Sequence, residues 1–96
     1  MSQDRRGQEV ELDYPIKVSG VETSTVFMRR PTVRDEIAVE KSKDSQGMKA
    51  AKLIANLCEL DLDTVLDMDA ADFNRLEDAY AGFRKGSQSK TSDGES

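Results

Sequence analysis

Arg29, Arg30 and Arg34 stand close together in a chain whose formal net charge is −5. Guanidinium groups at this spacing could grip a phosphate or a carboxylate through forked hydrogen bonds. Glu9, Asp35 and Glu36 lie near enough to compensate them. Ion pairing within the fold is therefore favoured over anion binding, and contact with a protein partner is a third reading. A second constellation, Asp61, Asp63, Asp67, Asp69 and Asp72, invites calcium. An EF-hand loop opening at Asp61 would need glycine at its sixth position, which is Leu66, and Val65 takes the place of its third oxygen ligand. Helix capping accounts for these aspartates better, and no metal site is assigned. Cys58 sits among Ile54, Ala55 and Leu57 and reads as a buried small hydrophobe rather than a reactive thiol.

The chain contains no histidine. That removes the commonest general base and zinc ligand, so no Ser-His-Asp, Cys-His or Cys/His zinc arrangement can be assembled. Nothing groups the carboxylates with a nucleophile or a glycine-rich phosphate loop, so neither catalysis nor a cofactor is expected. The acidic balance opposes general affinity for nucleic acid or anionic membrane and suits a basic or amphipathic protein partner. With one cysteine no internal disulfide can form. No apolar segment follows the arginines of the N-terminal stretch, and no run approaches transmembrane length, so the cytoplasm is the default location.

These residues must be positioned by a small α+β domain, an N-terminal β-hairpin followed by about three α-helices packed on one face. Ninety-six residues allow one domain, expected over residues 9–83, with a disordered segment over 1–8 and a flexible polar tail over 84–96. At 36% hydrophobic and 5% aromatic residues the core is lean, and burial against a partner would matter. Val10, Leu12, Tyr14, Ile16 and Val18 alternate with polar residues as a half-buried strand, and Pro15 marks a free edge. A turn at Ser19-Gly20 sets Val18 opposite Val21, Lys17 opposite Glu22 and Ile16 opposite Thr23. The same register puts Tyr14 opposite Thr25, Leu12 opposite Phe27 and Glu9 opposite Arg30. It leaves Val26 and Met28 on the charged face, where either a helix covers them, the plainer account, or a partner docks.

Pro31 ends the second strand, and Thr32 with Asp35 opens a helix over about Val33 to Lys41, with Val33, Ile37 and Ala38 inward. A second helix over about Met48 to Glu59 buries Ala51, Ile54, Leu57 and Cys58. A short helical turn follows near Thr64 to Asp67. Asp69 caps a last helix on which Phe73, Leu76, Tyr80 and Phe83 form one stripe.

In order and spacing the chain resembles the short tail assembly chaperones of Mu-like and related contractile-tailed phages and prophages. The resemblance lies in Leu12-Asp13-Tyr14-Pro15-Ile16, Ser19-Gly20 and the Met28 to Asp35 junction. It continues through Leu57-Cys58-Glu59-Leu60 and the Leu66 to Phe73 segment, opening a helix that ends Gly82-Phe83. It implies a non-enzymatic assembly factor in the host cytoplasm that binds the tape measure protein, keeps it soluble and helps recruit tail tube subunits, and that is absent from the finished particle. A frameshift-extended form of the chain would be a further partner, and self-association stays open. Expected partner contacts are Val26, Met28, Arg29, Arg30 and Arg34. Two other classes stand beside this one: an acidic DNA mimic that inhibits a host nucleic-acid enzyme, and a minor structural tail protein.

Overall fold

The structure, a computed structural model, describes residues 7–85; residues 1–6 and 86–96 lie outside the described residues. An antiparallel hairpin of β1 (Gly7–Val18) and β2 (Val21–Arg29) is followed by α1 (Val33–Lys41), α2 (Gln46–Cys58), α3 (Leu62–Leu66) and α4 (Ala70–Lys85). The α+β class is as expected. The first strand starts two residues earlier than its composition suggests, because Gly7 lies under the Phe27 ring. A Cβ there would meet the Met28 carbonyl oxygen and come within 2.7 Å of Phe27 Cζ.

Ser19 and Gly20 both take positive φ, 53° and 81°, which matches the twist of a two-residue hairpin turn. Next to the turn the register is the expected one, with Val18 opposite Val21, Lys17 opposite Glu22 and Ile16 opposite Thr23. Beyond Ile16 it is not. Glu11 pairs with Thr25, Val10 with Val26, Glu9 with Phe27 and Gln8 with Met28, so the expected Tyr14–Thr25, Leu12–Phe27 and Glu9–Arg30 pairs do not form. β1 uses Leu12 to Pro15 where β2 uses Ser24 alone. This bulge slips the register by an odd number of residues, and an odd slip exchanges the faces of everything beyond it.

The exchange is driven by burial. It brings Val26 and Met28, 5% and 0% exposed, onto the inner face with Val10, and turns Phe27 out to 44% exposure. Each buried side chain of this size contributes roughly 1.5–3 kcal/mol of transfer free energy, which the unbulged register would forgo. Pro15 has no amide to leave unpaired, and the amides of Asp13 and Tyr14 donate to the Asp72 carboxylate of α4, both at 2.9 Å.

α2 packs on β2 and α4 on β1. Ile54 and Leu57 from α2 and Leu76 and Ala79 from α4 close over Val10, Leu12, Ile16, Val26 and Met28, with Phe73, Tyr80 and Phe83 half-buried around them. The apolar stripe of the last helix thus meets the core. Asp69 caps α4 as expected, its Oδ2 accepting from the amides of Ala71 and Asp72 at 3.0 and 3.4 Å. The short α3 is held by Val65, which sits with Ala51 and Ala55 in a second apolar cluster.

α1 has its termini where the sequence puts them, but not its orientation. Val33 is 74% exposed and Ile37 48%, and Ala38 is exposed too, whereas Asp35 is buried and Val39 packs on the core. On a nine-residue helix with few apolar residues, the polar network at its N-terminus sets the rotation.

Candidate functional site

The strand-to-helix hinge is built around the Asp35 carboxylate. Thr32 and Asp35 form a complete capping box: Thr32 N donates to Asp35 Oδ2 at 2.7 Å and Asp35 N donates to Thr32 Oγ1 at 3.4 Å. Arg29 comes in from the end of β2 as a fork, Nη1 to Oδ2 at 2.9 Å and Nη2 to Oδ1 at 3.0 Å. Asn56 Nδ2 of α2 adds a bond to Oδ1 at 3.2 Å. One carboxylate thereby joins β2, α1 and α2.

These donors hold the Asp35 carboxyl down at about 2, chiefly through Arg29, against the opposing effect of burial. The same pairing raises the Arg29 guanidinium. Because the folded-state pKa lies below the ordinary value of 3.8, the ionised carboxylate stabilises the fold fully above about pH 4, and the contribution disappears as pH falls towards 2. Asp35→Asn is expected to cost about 1–2 kcal/mol at pH 7 and to flatten the stability profile between pH 4 and 2. Urea unfolding at a series of pH values reads both effects; a profile as steep as that of the wild type would refute the assignment.

The expected contact residues separate into four kinds. Arg29 is committed to Asp35. Val26 and Met28 are in the core, covered by helices, so neither presents a surface. Arg30 lies over the Phe83 ring, 4.9 Å from its centroid, and ties the hinge to the end of α4 as a cation–π contact. Arg34 is exposed and has no ion-pair partner among the described residues. A second tie between α1 and α4 runs through Glu36, which accepts from Tyr80 Oη at 2.5 Å and lies 3.5 Å from Arg84 Nε. Burial, with the bond to Glu36, pushes the Tyr80 hydroxyl up to about 12, so it stays a donor at any physiological pH.

Five residues come to the surface that periodicity places inside: Tyr14, Phe27, Val33, Ile37 and Ala38. Phe27 borders a recess of about 330 Å³ along β2, where Thr23, Thr25, Leu57, Glu59 and Leu60 also line the wall. The signal for Phe27 was present in the parity of Val26 and Met28, which a single unbroken register cannot bury. Each strand of the two-stranded sheet keeps one edge without a strand partner among the described residues, although on β1 the amides of Asp13 and Tyr14 and the carbonyl of Glu11 are already engaged by Asp72 and Arg75 of α4.

Burial pushes the Cys58 thiol up to about 12, so the nucleophilic thiolate is scarce at neutral pH. Among the described residues no group of three or more His, Cys, Asp or Glu converges to hold a metal ion, and no helix is long and apolar enough to cross a membrane. Of the aspartates that suggested calcium, Asp61 precedes α3 without a side-chain capping bond, Asp72 pins the β1 bulge, and Asp63, Asp67 and the α4 cap Asp69 line one open groove.

Comparison with curated proteins and with solved structures gives no match. A family model described as phage tail assembly chaperone proteins, E, or 41 or 14, matches residues 9–85. That span takes in the hairpin from Glu9, the charged hinge and all four helices. The chain belongs to the phage tail assembly chaperone family.

Proposed function

We propose that the chain is a non-enzymatic chaperone that binds the tape measure protein of a phage tail, keeps it soluble and helps recruit tail tube subunits around it. It acts in the host cytoplasm and is absent from the finished particle. The observation that carries this reading is the family match across residues 9–85. The structure is compatible with it in physical terms. A small acidic domain with open strand edges and isolated exposed apolar side chains suits modest, exchangeable contacts with a long helical client. Arg34, exposed at the hinge, suits a carboxylate on such a client.

Co-expression of the full chain with the tape measure protein, followed by affinity capture and a measure of soluble client, tests the reading. The expected result is a soluble complex and several-fold more client in the supernatant than without the chaperone. Client that stays insoluble and uncaptured, with the chaperone itself folded, would overturn it. Val26→Asp and Met28→Asp are unsuitable as surface variants here, because both residues are core.

A further inference from the structure

Two recesses meet at one side chain. The larger, about 600 Å³, lies between the bulged part of β1 and the connection from α3 to α4. Asp63, Asp67 and Asp69 stand in its wall against one ammonium, that of Lys17, and Tyr14, 62% exposed, borders it on the strand side. The smaller, about 230 Å³, opens between the start of α2 and the same connection. Ala51, Val65, Leu66, Met68 and Phe73 line it, and no charged side chain does. Met68 lines both recesses, so an acidic groove and an apolar pit adjoin at its side chain.

The fold does not use all of this charge. Asp69 serves as a helix cap, but the side chains of Asp63 and Asp67 make no hydrogen bond or ion pair among the described residues. Asp67 stands at the C-terminal end of α3, where the helix dipole disfavours a carboxylate. A cation bound along this wall would relieve that repulsion. Leu66, 49% exposed at the mouth of the pit, would gain from an apolar neighbour. Charge complementarity and the adjoining apolar pit therefore call for the same ligand, one with a basic face beside an apolar one.

The geometry points to this paired recess as the seat of a basic amphipathic helix of the client, its apolar side chains entering the pit and its lysines or arginines lying along the aspartate wall. The identity of the occupant rests on the proposed chaperone role. Tyr14 supplies an aromatic face to one of the cations, and the net charge of −5 steers a basic helix towards the protein before contact. Because the wall is open to solvent, each ion pair is weak and salt-sensitive, which suits a client that must be released.

The test uses the full chain, labelled with nitrogen-15, and a synthetic peptide of leucine and lysine at helical spacing, about 14 residues or some 20 Å long. A peptide of the same composition, scrambled to abolish its apolar face, is the comparison. Saturable amide shifts are expected at Tyr14, Lys17 and the segment from Asp63 to Phe73. The scrambled peptide should bind about tenfold more weakly, as should the regular peptide to the Asp63→Lys/Asp67→Lys variant and to Leu66→Ser. Arg34→Glu, remote from this wall in sequence and absent from its lining, should not weaken binding.

Shifts centred on Val33 and Ile37 or along β2, or equal affinity for the scrambled peptide, would overturn the assignment. So would self-association of the chain through these same residues, displaced by peptide. Capture of the tape measure protein separates the two readings. If the wild type and the Asp63→Lys/Asp67→Lys variant retain client equally, the seat is elsewhere and the chaperone role stands. If the wild type retains none while the peptide maps to the recess, the assigned occupant is wrong although the surface binds basic helices.

Discussion

Met28→Asp is expected to abolish cooperative folding at 25 °C, whereas Phe27→Asp, one residue earlier, should melt within a few degrees of the wild type. Met28 is 0% exposed and packed with Val10, Val26 and Leu57 in the main cluster, while Phe27 is 44% exposed on the outer face of β2. The aspartate forfeits roughly 1.5–3 kcal/mol of apolar burial and puts an unpaired carboxyl where no cation can reach it, a further cost of several kcal/mol. A domain of this size has only about 5–10 kcal/mol to lose. Circular dichroism with urea titration distinguishes the two variants. The comparison also decides the register, because in an unbulged hairpin Phe27 would lie inside and Met28 outside. Equal stability of the two variants, or the reverse order, would mean that the three extra residues of β1 are not where the structure puts them.

The parts of the fold that could be read from sequence are those fixed by neighbouring residues. The Ser19-Gly20 turn, its first three cross-strand pairs, the Pro31 strand end, the Thr32–Asp35 capping box and the Asp69 cap are all short-range, and all appear as the residue types dictate. The bulge is not short-range. It depends on Asp72, which follows Tyr14 by 58 residues and accepts the amides that the bulge frees. Nothing in the β1 sequence reveals that such an acceptor will arrive. Its trace lay in two facts that did not fit one register: Val26 and Met28 on the wrong face, and a proline in mid-strand, a known marker of bulges as well as of edges.

α1 illustrates a different limit. Val33 and Ile37 have the spacing of a buried stripe, but Asp35 receives five hydrogen bonds from Arg29, Thr32 and Asn56, and satisfying that buried carboxylate outweighs hiding two aliphatic side chains. Of the expected contact residues, the arginines were the more legible. Pairing inside the fold, the favoured reading, holds for Arg29 with Asp35, and Arg30 is satisfied by an aromatic ring rather than a carboxylate. The recess that sets Asp63, Asp67 and Met68 against Tyr14 needs the tertiary fold, since one wall comes from residues 14–17 and the other from residues 63–69.

Asp72→Ala is expected to lower the melting temperature by roughly 10–20 °C, the largest effect of removing any one polar side chain from the protein. The residue is 0% exposed, and its two oxygens accept from Asp13 N and Tyr14 N. Those amides, with Asp13 first and Arg75 assisting at 3.7 Å, hold the carboxyl below the usual carboxylate range against the cost of burial. Alanine would leave both amides without an acceptor in a bulge that has no ladder partner to offer instead. Asp72→Asn should lie between, since one side-chain oxygen can still accept while the amide nitrogen opposes the second N–H. Hydrogen exchange identifies the mechanism: Asp13 and Tyr14 amides protected in the wild type should exchange at rates near the unfolded limit in Asp72→Ala, at temperatures where Leu57 and Leu76 amides remain protected. If those two amides stay protected in the alanine variant, another group holds the bulge. If they open and the melting temperature does not move, burial of Val26 and Met28 alone is sufficient to fix the register, and Asp72 shapes only the Tyr14 wall of the acidic groove.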